Sequence, residues 1–146
     1  MKLKRWFQVI PHSDFQSVAL LLIRLIIGTA FLLHGWGKMQ QPFGWMGPDA
    51  PVPGVFQFLA AFSEFGGGIA WVLGFLTPLA SLGIFFTMAV AVTTHLFVTK
   101  DPFVNPTGGH SYEIALVYLG FAILMIAMTP GKVSLDAKIF GKRDLQ

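Results

Sequence analysis

Only two glutamates occur in this 146-residue chain, Glu64 and Glu113, and each falls inside a long apolar stretch. Arg24 lies in another such stretch, with His34 and Lys38 toward its end, and His95 lies near the end of a fourth. Arginine, lysine and histidine donate hydrogen bonds to carbonyl oxygens, while glutamate takes up and releases protons with histidine as a relay. A membrane quinone needs that combination: donors for its carbonyls, a proton acceptor and an aromatic surface. The set predicts Glu64, His34 and His95 as proton-handling, catalytic groups. Arg24, Phe31, Lys38 and Glu113 are the predicted ligand contacts. No metal ligand set is predicted, and the methionines read as gap-filling core.

Burial of such groups is costly. An Arg, Lys or Asp at the centre of a membrane helix costs roughly 2.5 to 3.5 kcal/mol, against about 0.3 to 0.6 kcal/mol returned by a leucine. These side chains are therefore expected to face inward and to find each other.

Four apolar stretches supply the frame, at about 17–37, 55–75, 77–98 and 112–129. Each approaches the roughly 20 helical residues that cross a bilayer core of about 30 Å. Apolar residues make up 54% of the chain and charged residues 12%, too few charges for a soluble domain of this size. The fold class read from this is all-α, an integral membrane four-helix bundle, spanning residues 1–146 as one domain. Absence of cysteine excludes disulfides, thiol catalysis and iron–sulfur ligation. Nucleic-acid binding is not expected, because the basic residues gather at the chain ends. Lys2, Lys4, Arg5, Lys132, Lys138, Lys142 and Arg143 flank the spans on one side, opposed by only Lys38 and Lys100. The positive-inside rule then puts both termini in the cytoplasm, as expected of a cell (inner, plasma) membrane protein. Residues 132–143 read as a basic amphipathic segment lying on the inner surface. Trp6, Trp36, Trp45 and Trp71 read as an interfacial belt, and His12 and His110 as ordinary interfacial residues.

Depth arithmetic predicts the pairs. Arg24 is about 10 Å in from one side and Glu64 about 13 Å in from the other, leaving roughly 6 Å between them. An Arg24–Glu64 pair near mid-membrane follows, seated at a tight crossing made by Gly66, Gly67 and Gly68. Lys38–Glu113 is the expected pair near the opposite end, among His34 and His95. Arg24, Gly28, Phe31, Gly35 and Lys38 recur at steps of four and three, so they share one face of the first helix.

In this order the residues resemble the DoxX family of small four-helix membrane proteins, over nearly the whole chain. The resemblance rests on Arg24-x3-Gly28-x2-Phe31-x2-His34-Gly35-x2-Lys38 and on Glu64-x-Gly66-Gly67 with Gly74-x2-Thr77-Pro78. It continues through His95, Phe103-x-Asn105-x2-Gly108, Glu113 and Pro130-Gly131-x2-Ser134-Leu135-Asp136. It implies a subunit or partner of a membrane redox system, including quinone-linked ones.

The expected function is an integral membrane subunit or accessory of a redox system holding a quinone or quinol. The chain carries no flavin or iron–sulfur motif, so electrons would come from a redox protein partner, and whether the chain is itself an enzyme stays open. One alternative is a non-enzymatic scaffold or assembly partner; another is a small-solute or proton transporter, against which stand four spans and no inverted repeat. Haem between His34 and His95 is a further option, and oligomerisation is left open.

Overall fold

A computed structural model describes residues 2–144 of the chain. Its elements are α1 (Lys2–Phe7), α2 (Asp14–Met39), α3 (Gly54–Leu73), α4 (Thr77–Thr93), a π-helical segment (Thr94–Thr99), α5 (Glu113–Met128) and α6 (Leu135–Ile139). No strand occurs among the described residues. Three helices are long and apolar enough to cross a membrane: α2, α3, and α4 with its π-helical continuation. The fourth apolar helix, α5, is shorter, 16 residues or about 24 Å.

The helix ends follow from local chemistry. Before α2, the Ser13 hydroxyl accepts from the Gln16 amide (3.2 Å) and the Gln16 side chain accepts from the Ser13 amide (2.9 Å), a reciprocal capping box. Helix α3 stops where Gly74 turns left-handed at φ 62°. Pro78 sits in the first turn of α4, where its missing N–H costs nothing. Thr129, at φ 56°, ends α5 one residue after Met128.

Leu20, Ile27, Phe31, Trp71, Ile84, Met88, Ala122 and Met125 form the core, drawn from all four long helices. Large apolar residues such as Ile26, Leu33, Phe62, Phe86 and Ile114 point outward on the same helices. Helices apolar on both sides have only lipid to face, so the bundle contacts the bilayer. Trp71 is not in an interfacial belt: it is 1% exposed, with its indole N–H donating to the Ser81 hydroxyl at 2.9 Å.

Glycine contacts set the register of the antiparallel α2–α3 pair. A methyl group added to Gly68 would lie 2.5 Å from the Leu32 amide nitrogen and 2.7 Å from the Gly28 carbonyl. One on Gly28 would press on Val72, and one on Gly35 on the Phe65 backbone. Opposed positions therefore sum to about 100, so Glu64 stands level with residue 36 and Arg24 level with residue 76. By the same rule α3 begins about seven residues, roughly 10 Å, beyond the end of α2. The loop between them wraps this projecting turn.

Candidate functional site

The bundle carries its polar groups in two separate places. The first is near the loop end. Lys38, in the last turn of α2, reaches Glu64 of α3, with Nζ 2.5 Å from Oε1. The Lys38 ammonium also lies 4.4 Å from the centre of the Trp45 ring, a cation–π contact from the 40–53 loop. Glu64 is 2% exposed, and its second oxygen, Oε2, has no hydrogen-bond partner among the described residues. An unpartnered buried carboxylate oxygen is costly and calls for a donor.

Gln57, two helical turns along α3, is also buried. Its side-chain oxygen accepts from the Met46 amide (3.0 Å), its side-chain nitrogen donates to the Val52 carbonyl (2.8 Å), and its own carbonyl accepts from the Trp45 indole (2.9 Å). Beside it, an open cavity of about 540 Å³ is lined by residues of the loop and the start of α3, including Gln41, Phe43, Pro48 and Gln57.

The second place is the opposite end, where the chain termini lie. Arg24 is 1% exposed and its guanidinium donates to four backbone carbonyls. They are Trp71 (2.9 Å) and Val72 (3.4 Å) at the end of α3, and Pro130 (2.5 Å) and Val133 (3.0 Å) after α5. Asp136 of α6, fully buried, accepts from the Leu76 (2.7 Å) and Thr77 (2.9 Å) amides at the start of α4. A cation thus caps the negative end of one helix and an anion the positive end of the next. Gly74 lies between them; a methyl group there would sit 2.5 Å from the Ser134 Cβ and 2.8 Å from an Arg24 nitrogen.

The expected pairs are therefore corrected. Arg24 does not meet Glu64, because the glycine-set register separates their levels by about 12 residues, roughly 18 Å. Equating span ends with membrane faces concealed this: α2 has 26 residues, and α3 starts well beyond its end. Lys38 pairs with Glu64, not Glu113, which forms no ion pair among the described residues. Gly68 does face α2, but it seats the helix crossing without Arg24–Glu64; Gly67 faces Ile84 of α4 instead.

The remaining sequence candidates scatter. His34 is exposed on the outer side of α2, one position off the buried face. Phe31 is 1% exposed and packed between Trp71 and Tyr118, with ring centres at 5.6 and 4.8 Å, so it belongs to the core. His95 lies in the first turn of the π-helical segment, its Nδ1 2.7 Å from Asp101, which also accepts from Thr99. These hydrogen bonds, that from Thr99 first, hold the Asp101 carboxyl below its ordinary value. A haem held by His34 and His95 does not fit, since His34 turns away from the interior. His12 is not an ordinary interfacial residue; it is buried, with Nε2 2.6 Å from the Met128 carbonyl at the end of α5. Sequence reasoning assigned no role to Asp136 or Gln57. Asp136 closes the Ser134-Leu135-Asp136 signature and could have been read as a cap; Gln57, a polar residue in an apolar run, offered a fainter signal.

The family model described as DoxX matches residues 19–98. Two curated relatives from Escherichia coli (strain K12) align over most of the chain. "Inner membrane protein YphA" is 34% identical over 138 residues, covering 87% of this chain and 96% of the relative. "Inner membrane protein YqjF" is 31% identical over 130 residues, covering 85% and 94%. No solved structure matches the chain.

Proposed function

The chain belongs to the DoxX family, and from that premise we propose that it is a cell-membrane subunit or accessory of a redox system, holding a quinol at Lys38 and Glu64. The observation that carries this reading is Glu64 Oε2, buried with no partner among the described residues, on a carboxylate whose other oxygen bonds a lysine that lies against an aromatic ring. A quinol hydroxyl supplies the missing donor. As the quinol is oxidised, its two electrons pass to a partner redox protein in the membrane, Glu64 takes the proton of one hydroxyl, and the proton of the other leaves to water at the loop end. Lys38, which has three N–H donors and uses one on Glu64, has another for the second ring oxygen. His95 and Glu113 make no contact with this pair among the described residues. The charge pattern of the ends supports an orientation with both termini on the cytoplasmic face and the Lys38 end outside.

The test is titration of the purified protein in mild detergent with a short-chain quinol. Quenched tryptophan fluorescence and a raised melting temperature are expected, both lost in Lys38→Met and in Glu64→Gln. A wild-type protein unmoved in both signals refutes the reading.

A scaffold role is the second reading, favoured by the Arg24–Asp136 assembly, whose hydrogen bonds tie α2, the α3–α4 turn, the segment after α5 and α6 together. Under it, copurification of redox partners persists in Glu64→Gln and is lost when the terminal-end assembly is broken.

A further inference from the structure

The loop between α2 and α3 does more than connect them. It carries Trp45 to the Lys38 ammonium, which makes a cation–π contact with that ring as well as its bond to Glu64. Within the loop, successive turns close at Gly44, Gly47 and Ala50, each amide bonding the carbonyl three residues back at 3.0 to 3.4 Å. Gly47 takes φ 93°, a conformation that side chains rarely adopt. Such turns shape the loop but do not fasten it to the bundle. Two contacts do so. Phe43 stacks on Phe58 of α3, ring centres 5.1 Å apart, and Gln57 makes three hydrogen bonds to loop residues 45, 46 and 52.

Gln57 is 4% exposed. A buried primary amide must satisfy its donors and its acceptor, and here both ends of the amide bond loop backbone. Its burial is possible because α3 projects beyond α2 and the loop folds over the projecting turn. The same residue lines the 540 Å³ cavity, which opens outward between loop and helix.

We propose that residues 41–52 form a cover over the Lys38–Glu64 pair, that Gln57 is the positioning residue that holds it shut, and that the cavity is the approach a polar ligand head takes to the site. This rests on the quinol reading for the ligand's identity, but the cover itself does not. A ligand oxygen reaches Lys38 by displacing the Trp45 ring, exchanging a cation–π contact for a hydrogen bond. Opening requires breaking the Gln57 contacts, which a polar ligand head in the cavity replaces with its own.

Acylation of lysines by an N-hydroxysuccinimide ester, read by peptide mass spectrometry on the whole purified protein, tests this without any ligand. Lys100, exposed in the other loop at the same end, serves as the internal reference. In the wild type, Lys38 is expected to react at least several-fold more slowly than Lys100. Gln57→Ala and Trp45→Ala each bring the Lys38 rate close to that of Lys100. Ser81→Ala, which removes the Trp71 partner in the core, lowers the melting temperature and leaves the Lys38 ratio unchanged. Gln57→Glu keeps the acceptor for Met46 but loses the donor to Val52, so an intermediate ratio is expected. The proposal fails if wild-type Lys38 already reacts as fast as Lys100, if Gln57→Ala leaves the ratio unchanged, or if Ser81→Ala shifts it equally. A quinol that does not bind, with the ratio still responding to Gln57→Ala, retires the quinone reading and leaves the cover standing.

Discussion

Two cations lie in α2, and the chemistry of each decides which partner it takes. Arg24 spreads its planar donors over four carbonyls from two different segments, a task for which a lysine has too few, poorly directed N–H groups. Arg24→Lys is therefore expected to destabilise the protein by about 2 kcal/mol or more, since several buried carbonyls lose their donor. Thermal unfolding in detergent measures it, and a melting temperature within a degree of wild type would contradict it. Lys38, by contrast, needs only one carboxylate and one ring. Asp101 provides a pH-dependent case outside the spans. Its carboxyl is held below the ordinary value by Thr99 and His95, so ionised Asp101 favours the ordered segment. That contribution is complete above the ordinary carboxylate value of about 3.9 and disappears as pH falls through the lower native value. Hydrogen exchange of residues 94–101, corrected for intrinsic rates, should accelerate across that acid range. In Asp101→Asn it should be fast at neutral pH and show no such step.

At the scale of elements, the small residues between α2 and α3 determine who meets whom. Gly28, Gly35 and Gly68 let the two backbones approach, and this contact sets the level of every polar group along them. Gly68→Ala drives a methyl group into the α2 backbone, and overpacking of this kind costs typically 1 to 3 kcal/mol. The melting temperature should fall and the Lys38–Glu64 pair should loosen; an unchanged protein would mean that the helices separate freely. At the terminal end, Asp136 caps α4 and also lies close enough to attract Arg24. Its carboxylate bonds the Leu76 amide, and Leu76 is a non-glycine residue held at φ 46°. Asp136→Ala loses a cap, worth about 1 to 2 kcal/mol, together with support for that backbone. Asp136→Asn keeps one acceptor and should recover part of the loss.

Across the whole molecule, the loop end and the terminal end perform different work. The terminal end is closed: α1 and the tail join where Val9 bonds Gly141 and Arg143, and Phe7 stacks on Phe140 at 5.1 Å. Its exposed Lys4, Arg5, Lys132, Lys138 and Lys142 lie together there. We expect stability to rise in bilayers containing anionic lipid, and charge reversal at Lys132, Lys138 and Lys142 to abolish the rise. A melting temperature equal in neutral and anionic nanodiscs would count against this. The loop end holds the unsatisfied carboxylate and the cavity.

Composition and run length made the helical membrane bundle legible, because a bilayer tests each stretch of chain separately for length and apolarity. The buried face of α2 was legible too, since Arg24, Gly28, Phe31 and Gly35 follow the helical period and all four are buried. What could not be read was the vertical offset between helices, which no single helix encodes. It depends on which backbone surfaces interlock, and here Gly28 and Gly68 let α3 ride about 10 Å past α2. That offset separates Arg24 from Glu64, gives Glu64 to Lys38, and leaves Gln57 to hold the loop. Side-chain partnership inside a membrane is a matter of a few ångströms, and only the packed structure resolves distances that small.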